Sequence, residues 1–273
     1  MKLPFLKKNT KQNVQEENLT ATIGNQRSFA NAEAHKRLRT NVLFSFSDGK
    51  KCRVIGITSA MAHEGKSTTA INLAYDMMKA GKRVLLIDAD MRLSRVAKNL
   101  ELRRSPGLSN MLVGNNHGEN IVQRSPVQDN LHVITCGDLP PNPTELLSSR
   151  RMDIMLETLK ESYEYIIIDL PPVTEVADAL IVSKLTDGMI VVVRQDYADR
   201  RLLTDTIQQL RHNEANIIGF VMTCAQSETK YYKYKYKKYY GKKYGYGYYH
   251  RHGYYSDYAH ARSEEEQQND ASV

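Results

Sequence analysis

The sequence predicts an α/β domain: a parallel β-sheet covered by helices on both faces and flanked by two polar end segments. Three observations carry this expectation. Five runs, "RVIGIT" (53–58), "RVLLID" (83–88), "YIIIDL" (165–170), "MIVVVR" (189–194) and "IIGFVMT" (217–223), are almost continuously apolar, as strands buried on both faces are. Helix-length stretches at 66–80, 145–161 and 200–212 lie between them, which is the alternation of parallel crossovers. The apolar pattern begins near residue 31 and stops near 228. Residues 1–30 therefore read as a flexible segment, 31–228 as the folded domain, and 229–273 as a disordered, Tyr- and Lys-rich tail.

At the amino end, "MKLPFLKKNTKQNVQEE" has no apolar core of signal-peptide length. No aliphatic run in the chain approaches a membrane span. The expectation is a cytoplasmic chain that does not cross a membrane by itself. From Asn31, "NAEAHKRLRTNVLFSF" repeats Ala34, Leu38, Val42 and Phe46 every four residues and predicts an amphipathic helix, along which Glu33 can pair with Lys36 or Arg37.

The first strand leads through "SAMAHEGKSTTAINLA" into a helix. Glu64-Gly65-Lys66-Ser67-Thr68 then sits where a phosphate-binding loop needs it. Backbone N–H groups and the helix N-terminus would cradle phosphate, Lys66 would reach the β/γ oxygens, and Ser67 would bind Mg2+. The strict pattern asks for glycine five residues before Gly65, and Ala60 stands there, so this stretch by itself is also compatible with a chance GKS at a helix start. Its surroundings narrow the choice. "LLIDADMR" puts Asp88 and Asp90 at one strand's carboxyl end, and "IIIDLPP" puts Asp169 at another. Open parallel sheets bind ligands at those ends. Three carboxylates beside such a loop predict a Mg2+–nucleotide site on a P-loop NTPase-like sheet. Further on, Asn142, Pro143 and Glu145 of "NPTE" read as the cap, first and third positions of a helix.

The tail segment "KYYKYKYKKYYGKKYGYGYYHRHGYYSDY" (230–258) holds thirteen of the seventeen tyrosines. Eight Lys or Arg against Asp257 give it +7, the whole net charge of the chain. The remainder is close to neutral, so the charge balance points to no nucleic-acid or membrane surface on the folded part. Without branched aliphatics the tail cannot build a core, and its phenols stay accessible. Lysine interleaved with tyrosine also suits stacking on bases, as single-strand binders do. Cys52, Cys136 and Cys224 show no CxxC spacing and read as reduced thiols.

Taken together, "EGKSTTAINLA", "LLIDADMR", "YIIIDLPP", "CGDLPPNPTELLSS" (136–149), "DGMIVVVR" (187–194) and "EAHKRLRTN" (33–41) resemble the bacterial tyrosine autokinases that govern capsule and exopolysaccharide synthesis. The resemblance covers roughly residues 31–225. It implies an ATP- and Mg2+-dependent protein-tyrosine kinase unrelated in fold to the eukaryotic type, whose HRD and DFG motifs are absent here. It implies Lys66 and Ser67 on phosphate and metal, Asp88 as the base that accepts the tyrosine proton, Asp90 in support, and Asp88 and Asp169 beside Mg2+. The tail becomes the substrate, with Tyr231, Tyr232, Tyr234, Tyr236, Tyr239, Tyr240, Tyr244, Tyr246, Tyr248, Tyr249, Tyr254, Tyr255 and Tyr258 as acceptors. Fifteen residues of coil reach about 20 Å, enough for a neighbouring subunit. Glu33, Lys36 and Arg39 would assemble ring-like homo-oligomers. The implied partners are a membrane-spanning polysaccharide co-polymerase, which would recruit and activate this cytosolic half at the inner face of the membrane, and a cognate tyrosine phosphatase. No nucleic acid is implied.

The chain departs from the family pattern in three places. Ala62-His63 replaces Pro-Gly in the loop, Lys36 replaces an arginine and lacks its bidentate fork, and Thr223 replaces an asparagine that helps read adenine. Two other functions share the fold. A partition or septum-placement ATPase would carry a signature lysine where Met61 stands and would lack the tail. A nucleotide-gated adaptor would use the tail to bind polyanions.

Overall fold

The computed structural model describes residues 29–114, 121–126 and 131–225. Helix α1 (Phe29–Phe44) precedes β1 (Arg53–Ser59), α2 (Lys66–Lys79), β2 (Val84–Asp88), α3 (Val96–Asn99) and α4 (Leu108–Val113). There follow β3 (Val122–Arg124), β4 (His132–Ile134), α5 (Pro143–Leu147), α6 (Arg150–Ser162), β5 (Tyr165–Asp169), α7 (Asp178–Ser183), β6 (Gly188–Arg194), α8 (Arg200–His212) and β7 (Ile217–Thr223). The strands form one sheet in the order β3-β4-β2-β5-β1-β6-β7. Every neighbouring pair is parallel except β3–β4.

Alternation along each strand divides the core between the two faces. Val54, Leu85, Ile87, Ile166, Ile168 and Val191 pack beneath α4 to α8. Ile55, Ile57, Leu86, Ile167, Ile190 and Val192 pack beneath α1, α2 and α3. Each such side chain contributes about 1.5–3 kcal/mol by leaving water.

Four details differ from the sequence expectations. The edge strand β3 runs antiparallel and is only three residues long, too short to show a period. The helix expected over 145–161 is two helices, because Ser149 takes an extended conformation (φ −76°, ψ 150°) and starts α6 afresh. Pro143 does open α5, but the Asn142 side chain bonds the Glu145 carboxylate instead of capping the backbone. On α1, Val42 is buried and Leu38 partly so, whereas Ala34 is exposed and Phe46 lies beyond the helix end. The α1–α2 contact is polar at that level: His35 Nε2 lies 3.4 Å from Asn72 Nδ2, and Arg39 Nη1 donates to the Asp76 carbonyl at 3.2 Å.

Among the described residues no helix is long and apolar enough to cross a membrane. Cys52, Cys136 and Cys224 are free thiols.

Candidate functional site

Strand β1 ends at Ser59 and hands the chain to a loop that re-enters as α2 at Lys66. Two residues make the reversal in the left-handed region, His63 (φ 62°) and Gly65 (φ 93°). His63 thus adopts the backbone that glycine usually supplies, at a strain of about 1–3 kcal/mol. Gly65 has a second constraint, since a Cβ there would stand 3.2 Å from Thr223 Cγ2. The start of α2 points its first N–H groups, including those of Lys66, Ser67 and Thr68, along the helix axis without intrahelical acceptors.

Two carboxylates, two hydroxyls and a guanidinium pin the loop from behind. Glu64 is fully buried, and its carboxylate accepts from Met61 N at 2.8 Å and Arg194 N at 3.4 Å. Its side chain is therefore occupied within the protein, which leaves its backbone amide as the part that can face a ligand. Glu175 Oε1 accepts from Ala62 N at 3.2 Å, Thr174 Oγ1 donates to Ala60 O, and Arg194 Nη1 donates to His63 O at 3.2 Å. Thr223 Oγ1 donates to the Glu64 carbonyl at 2.7 Å. The hydroxyl at this position thus holds the loop backbone.

The carboxyl ends of β2 and β5 bring the acidic residues alongside. Asp88 and Asp169 face each other in register, and Asp169 is also paired with Ile57 of β1. Lys66 Nζ donates to Asp90 Oδ2 at 2.8 Å, in an ion pair almost entirely out of solvent. Asp88 Oδ2 accepts from Ser94 Oγ at 2.6 Å, and Asp88 Oδ1 accepts from Asp90 N at 3.2 Å. Asp90 Oδ1 accepts from Leu93 N at 2.9 Å. Both oxygens of Asp169 are buried with no hydrogen-bond partner.

These surroundings set the protonation. Burial, then the adjacent Asp169 charge, push Asp88 well above the usual carboxylate range. Burial also pushes Asp169 up to about 6, against the pull of the Lys66 ammonium. Burial would lower Lys66, but Asp169, Asp90 and Asp88 together outweigh it and hold the ammonium above its ordinary value. One cation thus serves three buried acids, an arrangement that invites a further cation.

Among the described residues no three His, Cys, Asp or Glu side chains form a metal cage. The orphaned Asp169 oxygens, together with Ser67 and Asp88, instead offer a partial all-oxygen donor set. That suits a hard divalent ion completed by water and phosphate oxygens.

The residues read as assembly determinants stand apart from this site. Lys36 Nζ bonds Glu33 Oε1 at 2.7 Å within α1, and Arg39 reaches across to α2. Tyr231 to Tyr258, read as phosphate acceptors, lie outside the described residues. An open cleft of about 760 Å3, lined by Lys51, Arg83, Arg150, Asp153 and Tyr163 among others, sits at the amino ends of the strands, away from these groups. Sequence reading missed Ser94, Glu175, Arg194 and the loop-holding role of Thr223. Only the strand-terminal position of Arg194 offered a signal.

Residues 52–219 match a family model described as an AAA domain. The chain is 35% identical over 206 residues to tyrosine-protein kinase YwqD of Bacillus subtilis, covering 76% of this chain and 86% of that protein. It is 36% identical over 191 residues to tyrosine-protein kinase CpsD of Streptococcus agalactiae serotype III, covering 70% and 81% respectively. The kinase domain of the Escherichia coli tyrosine kinase ETK superposes with a TM-score of 0.70 at 27% identity, covering 84% of each chain.

Proposed function

The chain belongs to the bacterial tyrosine-protein kinases, and on that premise we propose that it phosphorylates the tyrosines of its own C-terminal segment, one copy acting on another, to regulate capsular or exopolysaccharide synthesis and export. The observation that best supports this reading is the buried set of Lys66, Asp88, Asp90 and Asp169 beside a phosphate-loop turn.

In this reading ATP lays its phosphates along the amides of Gly65, Lys66, Ser67 and Thr68. Lys66 exchanges Asp90 for the β/γ oxygens, and the backbone amide of Glu64 completes the cradle. Ser67, Asp88 and Asp169 would hold Mg2+, which when bound neutralises phosphate charge and lets the γ-phosphoryl leave. Asp88 orients the incoming phenol and takes its proton. The phenolic oxygen bonds the γ-phosphorus as the bond to the β-phosphate oxygen breaks, and ADP departs. A carboxylate raised by burial is suited to accepting that proton near neutral pH. Asp90, released by Lys66, supports the loop that carries Asp88.

Positive charge draws the Lys230–Tyr258 segment towards these acids. Each phosphate adds about −1.5 to −2, so about four cancel the segment's charge and end the attraction. Assembly through Glu33, Lys36 and Arg39 brings a neighbour's tail within reach, and a membrane-spanning co-polymerase recruits and activates the assembly.

Intact-mass spectrometry tests the proposal. With Mg2+ and ATP, and with or without a candidate activator segment, a ladder of phosphates confined to 230–258 is expected, absent in Lys66→Ala and nearly absent in Asp88→Asn. Full phosphorylation of either variant would move the catalytic assignment elsewhere.

A further inference from the structure

The segments that follow three adjacent strands, β4, β2 and β5, meet at a single carboxylate outside the set described above. Asp178, the first residue of α7, has no exposed surface. Its Oδ1 accepts from Thr144 Oγ1 of α5 at 2.6 Å. Its Oδ2 has no hydrogen-bond donor, and Arg92 Nε of the β2–α3 loop stands 3.6 Å away. Arg92 is two residues beyond Asp90 and four beyond Asp88.

We propose that Arg92 and Asp178 are positioning residues for phosphoryl transfer, forming a latch that holds the β2–α3 loop in register once nucleotide has bound. The proposal rests on the reading of Asp88 and Asp90 given above. Several hydrogen bonds within that loop, Leu93 N to Asp90, Ser94 Oγ to Asp88 and Asp90 N to Asp88, shape it, and the buried Met91 side chain seats it in the core. Two contacts fasten it at the site: Ala89 N to the Asp169 carbonyl at 2.9 Å, at its root, and the Lys66–Asp90 ion pair. The second is surrendered when Lys66 turns to the phosphates. The Arg92–Asp178 contact is then the charged tie that remains.

Leaving buried Asp178 without its cation is strongly unfavourable, so this contact persists in the state that has lost the Lys66–Asp90 pair. The planar guanidinium suits this task because it can keep Asp178 while the loop shifts, which a point-like ammonium does less well. Thr144 fixes the Asp178 rotamer by occupying its other oxygen.

The test uses the full chain and two readouts. The first is kcat and KM for ATP in Arg92→Gln, Arg92→Lys, Asp178→Asn and the Arg92→Gln/Asp178→Asn double variant, beside Asp88→Asn. Each neutral single variant should lose about tenfold in kcat with KM within about twofold. The double should be no worse than the worse single, because contacting partners act as a unit, and Arg92→Lys should regain part of the loss. The second readout is hydrogen exchange of residues 89–95, which needs no turnover. Without nucleotide, Arg92→Gln should exchange no more than about twofold faster than wild type, because Lys66 still holds Asp90. With saturating Mg2+–ADP it should exchange at least fivefold faster. Should Asp178→Asn fail to fold, Arg92→Gln, at a half-exposed side chain, carries the test alone.

Multiplicative kcat losses, or equal exchange in both states, would overturn the latch. Wild-type kcat in Arg92→Gln beside a dead Asp88→Asn would reject the latch and leave the site reading intact. A fully active Asp88→Asn would reject the site reading itself.

Discussion

Replacing Asp169 by Asn is expected to make the nucleotide-free protein more stable while ending its kinase activity. Both Asp169 oxygens are buried without a donor, and burial lifts the carboxyl from an ordinary 3.8 to about 6. A folded-state value above the unfolded one means that ionisation is harder in the fold. The resulting penalty is absent below pH 3.8, grows as pH rises towards 6, and is fully present above that. A gap of about two pH units, at roughly 1.4 kcal/mol each, amounts to about 3 kcal/mol at pH 7.5. For a domain of this size that is about 6–12 °C in Tm. Thermal melts of wild type and Asp169→Asn without nucleotide, at pH 7.5 and pH 4, read the effect directly. The variant should melt higher at pH 7.5, and its advantage should shrink towards zero at pH 4. Equal melting at pH 7.5, or the same gain at both pH values, would refute the electrostatic origin.

Two further predictions concern the loop and the proposed proton acceptor, Asp88. Gly65→Ala should lower stability by about 2–3 kcal/mol in urea unfolding, from left-handed strain and loss of the Thr223 hydrogen bond, and should raise KM for ATP. Adding Thr223→Ser, which removes the methyl that the new Cβ meets, should recover about 1 kcal/mol. No recovery would mean that the crowding is absorbed elsewhere. Ser94→Ala removes a donor that holds Asp88 down, so Asp88 rises further and the acid limb of the kcat–pH profile moves to higher pH. An unmoved limb would place the titrating group elsewhere.

How much of this was legible depended on whether a feature repeats along the chain or joins distant points. β1, β2, β5, β6 and β7 announced themselves because each is apolar over at least four consecutive residues. β3 and β4, at three residues each, carry no measurable period and form from pairing with a neighbour. The α1 face misled because alanine counts as apolar in a pattern, while its helix meets α2 through His35 and Arg39. Asp88 and Asp169 were readable because parallel sheets place strand ends together, and Lys66 because a helix start follows β1. Thr223, which stands where the family pattern has a base-reading asparagine, also holds the Glu64 carbonyl, 159 residues away. Asp178 and Ser94 work through similarly private contacts that leave no spacing behind.

The polar contact between α1 and α2 has a mechanical side. Helix α2 begins at Lys66 and runs fourteen residues as one rigid rod, about 21 Å long. α1 grips it from its middle onward, at Asn72 and Asp76. A tilt of about 5° about that grip displaces Lys66, roughly 12 Å away, by about 1 Å, a displacement of the size that changes rates about a hundredfold. Helix α2 is thus a lever with its long end at the phosphates. In the proposed assembly, a neighbour leaning on α1 would set the throw of Lys66 without touching nucleotide.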